Sequence, residues 1–501
     1  MVSNESSLHG VRKSDAVNVD KTIRSDIEPL YLHLRKNSDS AINYQGKKIT
    51  AALNKRGTGG RKMHNLSRNR RTVGVGIIAL LGASAAAMTA AHAGGFAVRE
   101  QSAYYQGMSF AGAGTGDTLS SMYWNSAAAA SVPGINSESH ISLILPDTQI
   151  NATGGLLTNP AFGLGSESGD LADPALVPAS YANYQLSDRL YLGVAMNSGF
   201  GLVTKPDNTS WAGSPIAITS DVFSLNINPT LAYKLTPELT VGAGIQIEYL
   251  DIRLNRGPAP AALAPGDIGR SAEVDGIGIG ATAGVNWTPR AGTSIGVGYR
   301  SAVSFDLEGD YANAFTLGAI RDAEAELTLP EIVTVGLRQA LSQKLDLLVG
   351  YEWTNWSRLG TISVDVDGAP SEDLRLEYDD GHFVSAGLEF DYTPDTTLRI
   401  GVAWEKSPIP DEERNVLLPD ADRIWLSVGA THRLSEKATI DVGYTHIFAD
   451  DAPICREAGG GPCVSAAPDI LVAEGEGSVN IISASFKYKF GGGDREIEPL
   501  K

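Results

Sequence analysis

Cysteine is almost missing from this chain. Among 501 residues there are two, Cys455 and Cys463, both in the stretch ICREAGGGPCV. Two cysteines with no histidine beside them make a poor zinc site; the pair suits one loop disulfide in an oxidising compartment. Long apolar runs are missing as well. Past residue 93 nothing approaches the ~20 residues that a membrane-crossing helix needs. Anything embedded in lipid there must be a closed barrel, because an open sheet would leave backbone groups unpaired.

Basic charge is scarce after the first hundred residues. Residues 1–93 hold 15 Lys and Arg against 6 Asp and Glu, and the remainder holds 25 against 52. So acidic a body excludes nucleic acid as a partner, since that needs clustered positive charge. It fits a surface of solvated acidic loops. Catalytic motifs are absent too. GAGTGD (112–117) has Asp117 where a dinucleotide loop needs its last glycine, and no strand–helix context surrounds it. There is no G-x-S-x-G and no H-E-x-x-H. Asp365, Asp367 and Gly368 in DVDG lack the terminal Glu spacing of a calcium loop. No catalytic residue, metal or cofactor is indicated.

What the chain does contain is a leader followed by strands. In RNRRTVGVGIIALLGASAAAMTAAHA, Arg68, Arg70 and Arg71 form a basic region, Val73 to Leu81 an apolar one, and Ala91-His92-Ala93 a small-x-small cleavage site. Thr72 to Ala91 is uncharged and long enough for an anchor, but the Ala/Gly-rich second half and the A-H-A ending favour cleavage. Residues 1–62 show no periodic pattern and read as a disordered upstream extension, with Met63 where a leader would begin. The leader is thus expected over 63–93.

After a Gly/Ala/Ser-rich opening, period-two segments follow one another to Phe490. The spacing predicts strands over 137–150, 177–186, 189–204, 220–236, 239–256, 272–289, 293–311, 323–342, 344–366, 380–394, 396–408, 422–435, 437–450 and 477–490, fourteen in all. Tight connections such as Ser187-Asp188, Ser342-Gln343 and Ser435-Glu436 alternate with long loops such as 151–176, 205–219, 257–271 and 451–476. Loops sorted by length in this way, with an even strand number, predict an all-β, 14-stranded antiparallel transmembrane β-barrel in the outer membrane of a Gram-negative cell, both chain ends in the periplasm. In the last strand Ile482, Ala484, Phe486, Tyr488 and Phe490 share one face. A soluble sandwich would turn that face to a second sheet; a barrel turns it to lipid. The expected divisions are 94–136 before the barrel, 137–490 for the barrel, and a tail over 491–501.

A plain barrel does not account for GGFAVREQSAYYQGMSFAGAGTGDTLSSMYWNSAAAAS (Gly94 to Ser131), which is long and nearly uncharged. With SGFGLVT (198–204), INPTLAYKL (227–235), LPEIVTVGL (329–337), WTNWSRL (353–359) and SPIPDEERNVLLPDADRIWLSVGATHRL (407–434), it resembles the FadL/TodX family of outer-membrane transporters for hydrophobic compounds. That resemblance covers Gly94 to Phe490. It implies an N-terminal hatch plugging the lumen, and passive transport of long-chain fatty acids or similar hydrophobic molecules. The implied route is capture at extracellular loops, an internal pocket beside the hatch, and sideways exit at a kink in the third strand.

On this sequence the kink falls at Ser198, Gly199, Phe200 and Gly201, because two glycines around an aromatic weaken the ladder. The hatch turn falls at Asn125, Ser126 and Ala127, where the family usually has Asn-Pro-Ala. Phe96 and Phe200 are the expected apolar ligand contacts. A fatty-acid carboxylate would want a cation. Arg256 aligns with the family's arginine, whereas its lysine falls near DLRLEYDD (373–380), where no Lys occurs and Leu374 or Arg375 is nearest. Losing that lysine leaves open a neutral aromatic hydrocarbon as substrate. The rivals from other classes are an outer-membrane lipolytic enzyme and an open porin. Expected partners are the hydrophobic small molecule, outer-membrane lipid and lipopolysaccharide, with the protein a monomer.

Overall fold

The structure is a computed structural model that describes residues 94–313, 318–457, 463 and 468–490. The leader, the upstream extension and the C-terminal tail lie outside the described residues. From residue 135 the chain is one antiparallel sheet. Its first strands are β1 (Ile135–Gly154), β2 (Ala175–Gln185), β3 (Leu190–Asn197, resuming as Gly201–Thr204), β4 (Thr219–Lys234) and β5 (Leu239–Arg256). Next come β6 (Arg270–Arg290), β7 (Thr293–Arg300, resuming as Val303–Ala312), β8 (Arg321–Leu329, resuming as Ile332–Ala340) and β9 (Leu345–Thr354, resuming as Thr361–Val366). The last are β10 (Glu372–Arg375, resuming as Gly381–Thr393), β11 (Thr396–Lys406), β12 (Arg423–Arg433), β13 (Ala438–Ala449, continued by Ala452–Glu457) and β14 (Asp469–Phe490). β14 pairs with β1 from Ile135↔Phe490 up to Gly154↔Val472. That ladder closes a fourteen-stranded barrel, which leaves no edge for lipid to expose.

Two boundaries differ most from the sequence expectation. β10 starts earlier, at Glu372, because its first piece pairs with the end of β9. Much of the expected loop 451–476 is strand: Ala452–Glu457 pairs with β14 as far as Asp469. Its Ile454 and Leu471 pack with Ile150 and Trp211 in a buried cluster under the loops, so the ladder continues past the membrane. Cys455 and Cys463 are joined there, with Cα atoms 5.6 Å apart.

The faces sort as lipid on one side and a plug on the other demand. On β14, Ile482 and Phe486 are 51% and 45% exposed, while Ser483 and Ser485 are buried inward. Ile141, Leu231, Ile247, Val285, Ile400 and Val428 continue this outward apolar belt around the wall.

Two strands then invert the rule. Below the break in β7, Val297 and Tyr299 face out; above it Phe305 and Leu307 face in, although all four are odd-numbered. The two residues Ser301 and Ala302, between the ladder pieces, shift the parity by one. Pro330 and Glu331 do the same in β8, where Val335 faces out and Leu327 and Leu329 face in. Above the breaks, the outer face carries acids directly opposite one another: Asp306↔Glu326, Glu308↔Glu324, Asp310↔Asp322 and Glu324↔Asp365. These exposed rungs stand beyond the apolar belt, in water.

Residues 94–134 form the hatch, in short turns. Ser102 caps the helix Ala103–Gln106 by accepting from the Tyr105 amide. Tyr104, Tyr105, Met108, Phe110, Trp124 and the alanines at 127–130 are buried. Glu138 on β1 accepts from the amides of Leu119 and Ser120, each at 3.0 Å. Glycines on the inner wall let the hatch backbone touch it. A Cβ at Gly298 would overlap the Trp124 carbonyl, and one at Gly401 would overlap the Met108 backbone. Glycine is abundant here partly because the plug sits on bare backbone.

Candidate functional site

The wall is interrupted at β3. Its ladder with β2 stops at Ser180↔Met196, and beyond the break Gly201–Thr204 pairs with β4. The first hatch residues take the place of a strand there. Val98 donates its amide to the Gly199 carbonyl at 2.8 Å, and Gly201 donates to the Phe96 carbonyl at 2.8 Å. The Ser224 hydroxyl on β4 serves both backbone groups of Phe200, accepting from its amide at 3.0 Å and donating to its carbonyl at 2.8 Å. Gln101 reaches the Ser198 carbonyl with its side-chain amide. Thus Ser198, Gly199, Phe200 and Gly201 form a break whose hydrogen bonds are supplied by the hatch and one serine.

Aromatic rings meet at this junction. Phe96 lies edge-on to Trp356 at 4.7 Å and to Phe200 at 6.0 Å, and Trp356 touches Phe200 at 5.9 Å and Tyr378 at 6.3 Å. They form the floor of an apolar cluster whose walls are the inward-turned Phe305, Leu307, Leu327 and Leu329 with Val274 and Leu250. Such a lining suits an apolar solute and not an ion. Polar atoms without a hydrogen-bond partner lie in the hatch and at the end of β3: both Glu100 carboxylate oxygens and both Asn197 amide atoms are buried and unsatisfied. Burial raises the Glu100 carboxyl to about 7.

The hatch turn is fixed to β6. Asn125 caps the turn Ser126–Ala130 by accepting from the Ala127 amide. It donates to the Gly114 carbonyl at 2.7 Å, to the Val285 carbonyl at 3.1 Å and to Asn286 Oδ1 at 2.6 Å. Ser126, in place of the family's proline, donates its hydroxyl to Thr282 Oγ1 at 2.7 Å. The lost ring is replaced by a bond to the wall. Ala127 is buried against it.

The two candidate arginines are each held by an acid. Arg256, at the end of β5, meets Asp267 Oδ2 at 2.7 Å. Against the cost of burial, that hydrogen bond, the amides of Ala259 and Gly269 and the Arg256 charge hold the Asp267 carboxyl below its ordinary range. Arg375 meets Glu413 at 2.7 Å with its side chain 57% exposed. Its neighbour Leu374 packs on the apolar cluster instead. Sequence reasoning missed Arg270: its Nη1 is 2.8 Å from Glu372 and its buried Nε has no hydrogen-bond partner. It also missed Trp356 as a contact, although the motif WTNWSRL contained it.

A closed barrel with a seated plug, an apolar cluster inside the wall and an interrupted strand suits a channel for hydrophobic solutes rather than an aqueous pore. Residues 84–490 match the model of the outer membrane protein transport protein family (OMPP1/FadL/TodX), and the chain belongs to that family. It is therefore an outer-membrane transport protein and not an enzyme. Among relatives, the long-chain fatty acid transport protein of Escherichia coli (strain CFT073) is 25% identical over 366 residues, covering 66% of this chain and 80% of that one. Outer membrane protein P1 of Haemophilus influenzae (strain Rd) is 26% identical over 341 residues, 62% of this chain and 72% of the other. Among solved structures, a Pseudomonas aeruginosa FadL homologue superposes with a TM-score of 0.71 at 20% identity, over 79% of this chain and all of that one. The Ralstonia pickettii toluene transporter TbuX gives 0.56 at 16% identity, over 78% of this chain and 100% of the other; at these identities both show the fold alone.

Proposed function

We propose that this protein carries long-chain fatty acids or similarly hydrophobic molecules passively across the outer membrane, as a monomer set among lipid and lipopolysaccharide. The solute is captured at the long-loop end, rests against Phe96, Phe200 and Trp356, and leaves sideways through the break in β3. The observation that carries the reading is the parity shift in β7 and β8, which turns an apolar face inward into the same buried cluster as Phe96 and Phe200 at the interrupted wall. A solute that exits there stays in apolar contact, whereas crossing a polar lumen would cost about 0.8 kcal/mol for each exposed methylene.

The test combines binding and uptake in cells that lack other fatty-acid transporters. A Cβ at Gly199 lies 3.0 Å from the Tyr123 hydroxyl, so Gly199→Val fills the break. It should abolish uptake and leave ligand binding by purified protein in place. Undiminished uptake would remove the lateral route.

A second substrate class, neutral aromatic hydrocarbons, has one observation in its favour: Arg256, Arg270 and Arg375 all carry a carboxylate partner already. A carboxylate ligand would have to displace one of these acids. Competition between a fatty acid and its uncharged alcohol decides between the classes, and equal binding favours the neutral substrate.

A further inference from the structure

The first residues of the hatch hold a clue that the transport reading does not use. Gly94 through Val98 are all buried. The Gly94 backbone nitrogen lies 3.1 Å from Glu405 Oε1, and the Gly95 amide lies 2.9 Å from Asp420 Oδ2. Glu405 projects inward from β11 with its side chain 3% exposed. The same Oε1 accepts from Arg99 Nη2 at 3.0 Å, and its Oε2 accepts from the Trp425 indole at 3.0 Å. Arg99 also pairs with Glu352, and Arg423 with Asp420.

The charges in this buried set do not balance. Among the groups joined here by ion pairs, three acids, Glu352, Glu405 and Asp420, share two bases, Arg99 and Arg423, and Glu100 is buried beside Arg99. Unpaired buried carboxylates are costly. The sequence supplies one more cation at this place. Hydrolysis of the Ala93–Gly94 amide by one water sends the new carboxylate away with the leader and leaves a protonated amine on Gly94.

We propose that the α-ammonium of Gly94, created by leader removal, is a structural cation of the gate: it pairs with Glu405 and anchors the hatch's first segment in the break of β3. An amide at this position gives Glu405 one N–H; the ammonium gives a full charge and further donors. The residues are shaped for that seat. A Cβ at position 94 would lie 2.6 Å from Glu405 Oε1, and Gly95 has φ +63° with a Cβ position 2.9 Å from the Trp356 ring, so only glycine fits either place without displacement. Two residues further on, Phe96 closes the aromatic floor. Leader removal would therefore be a precondition for closing the gate, and an uncleaved chain would leave the acid cluster short of a cation.

The experiment uses full-length protein exported to the outer membrane and purified folded in detergent. Intact mass first establishes the mature start, which must be Gly94. Folded and denatured samples are then acetylated with an N-hydroxysuccinimide ester near neutral pH, and labelling of the N-terminal peptide is followed by mass spectrometry. The expected result is at least tenfold slower labelling of the Gly94 amine in the folded protein, with most of that protection lost in Glu405→Gln. A second reading comes from the unmutated protein and does not depend on the variant folding. The pH dependence of labelling should have its midpoint above the ordinary α-amine value of about 7.7–8.0, whereas burial without pairing would lower it. A different first residue, equal labelling of folded and denatured chain, or a midpoint at or below the ordinary value would each overturn the proposal.

Discussion

Replacing Phe96 by alanine tests whether the hatch's first segment is a separable latch. Phe96 is 8% exposed and meets two rings, Trp356 at 4.7 Å and Phe200 at 6.0 Å. Truncating a buried phenylalanine costs about 3–5 kcal/mol, including the cavity left behind, and each lost aromatic pair is about 0.5–1.5 kcal/mol of that. The lower end applies here, because the segment lies at the start of the plug and can settle into part of the space. About 3 kcal/mol corresponds to roughly a hundredfold rise in the opening constant. The amides that report it are Val98 and Gly201, which donate across the break to Gly199 and Phe96. Their hydrogen-exchange protection in detergent should fall about a hundredfold, as expected for opening of one local unit. Phe96→Leu, which keeps apolar volume, should cost under about 1.5 kcal/mol and lower protection roughly tenfold. The amides of Gln106 and Asn125, which donate to Ser102 and Ser121 deeper in the hatch, should be unaffected. If those deep amides lose protection to the same degree, Phe96 holds the whole plug and the latch is no separate unit. If Val98 and Gly201 keep their protection, the rings contribute nothing and the backbone pairs alone hold the segment.

Four further outcomes follow from the same geometry. Gly298→Ala puts a methyl into the Trp124 carbonyl; overpacking of about 1–3 kcal/mol should unseat the plug and raise ion conductance in planar bilayers, and an unchanged conductance would show that the hatch does not depend on that contact. Asp267→Asn frees Arg256 and should strengthen binding of a fatty acid relative to its methyl ester, a preference whose constancy would remove Arg256 from the ligand site. Since the folded Asp267 carboxyl is held below its ordinary range, the Arg256 contact contributes above the unfolded value of about 3.9 and is lost as pH falls through the depressed one; protease resistance of residues 257–269 should persist at mildly acidic pH and fail only in stronger acid. Glu324→Lys turns the rungs with Glu308 and Asp365 from like to opposite charge, at about 0.2–1 kcal/mol each, so the urea midpoint should rise at low salt and the gain should fade at high salt; no change would mean that the rungs are already fully screened.

How far the sequence could be read is set by the range of the forces involved. Strand positions and tight turns depend on neighbours a few residues away, so period two and the turn at Ser435-Glu436 locate β12 and β13 within a residue or two. Facing was legible only where parity is unbroken. Val297, Tyr299, Phe305 and Leu307 alternate without a fault in the sequence, and strict alternation would turn all four to lipid. Ser301 and Ala302, between the two ladder pieces, reverse the upper two, and nothing in those two small residues announces a bulge. The site was legible in part for the same reason. The glycines around Phe200 mark a weak ladder locally, but Trp356 reaches Phe96 only when the barrel closes, across some 260 positions of chain. The buried set around Arg99 joins the hatch to β9, β11 and β12, and no local pattern encodes it. That distribution has a mechanical consequence. A gate assembled from contacts across the whole chain can form only after the last strand has closed the cylinder, so the plug must be seated late. The break in β3 then stays unfilled until the first segment of the hatch arrives to complete it.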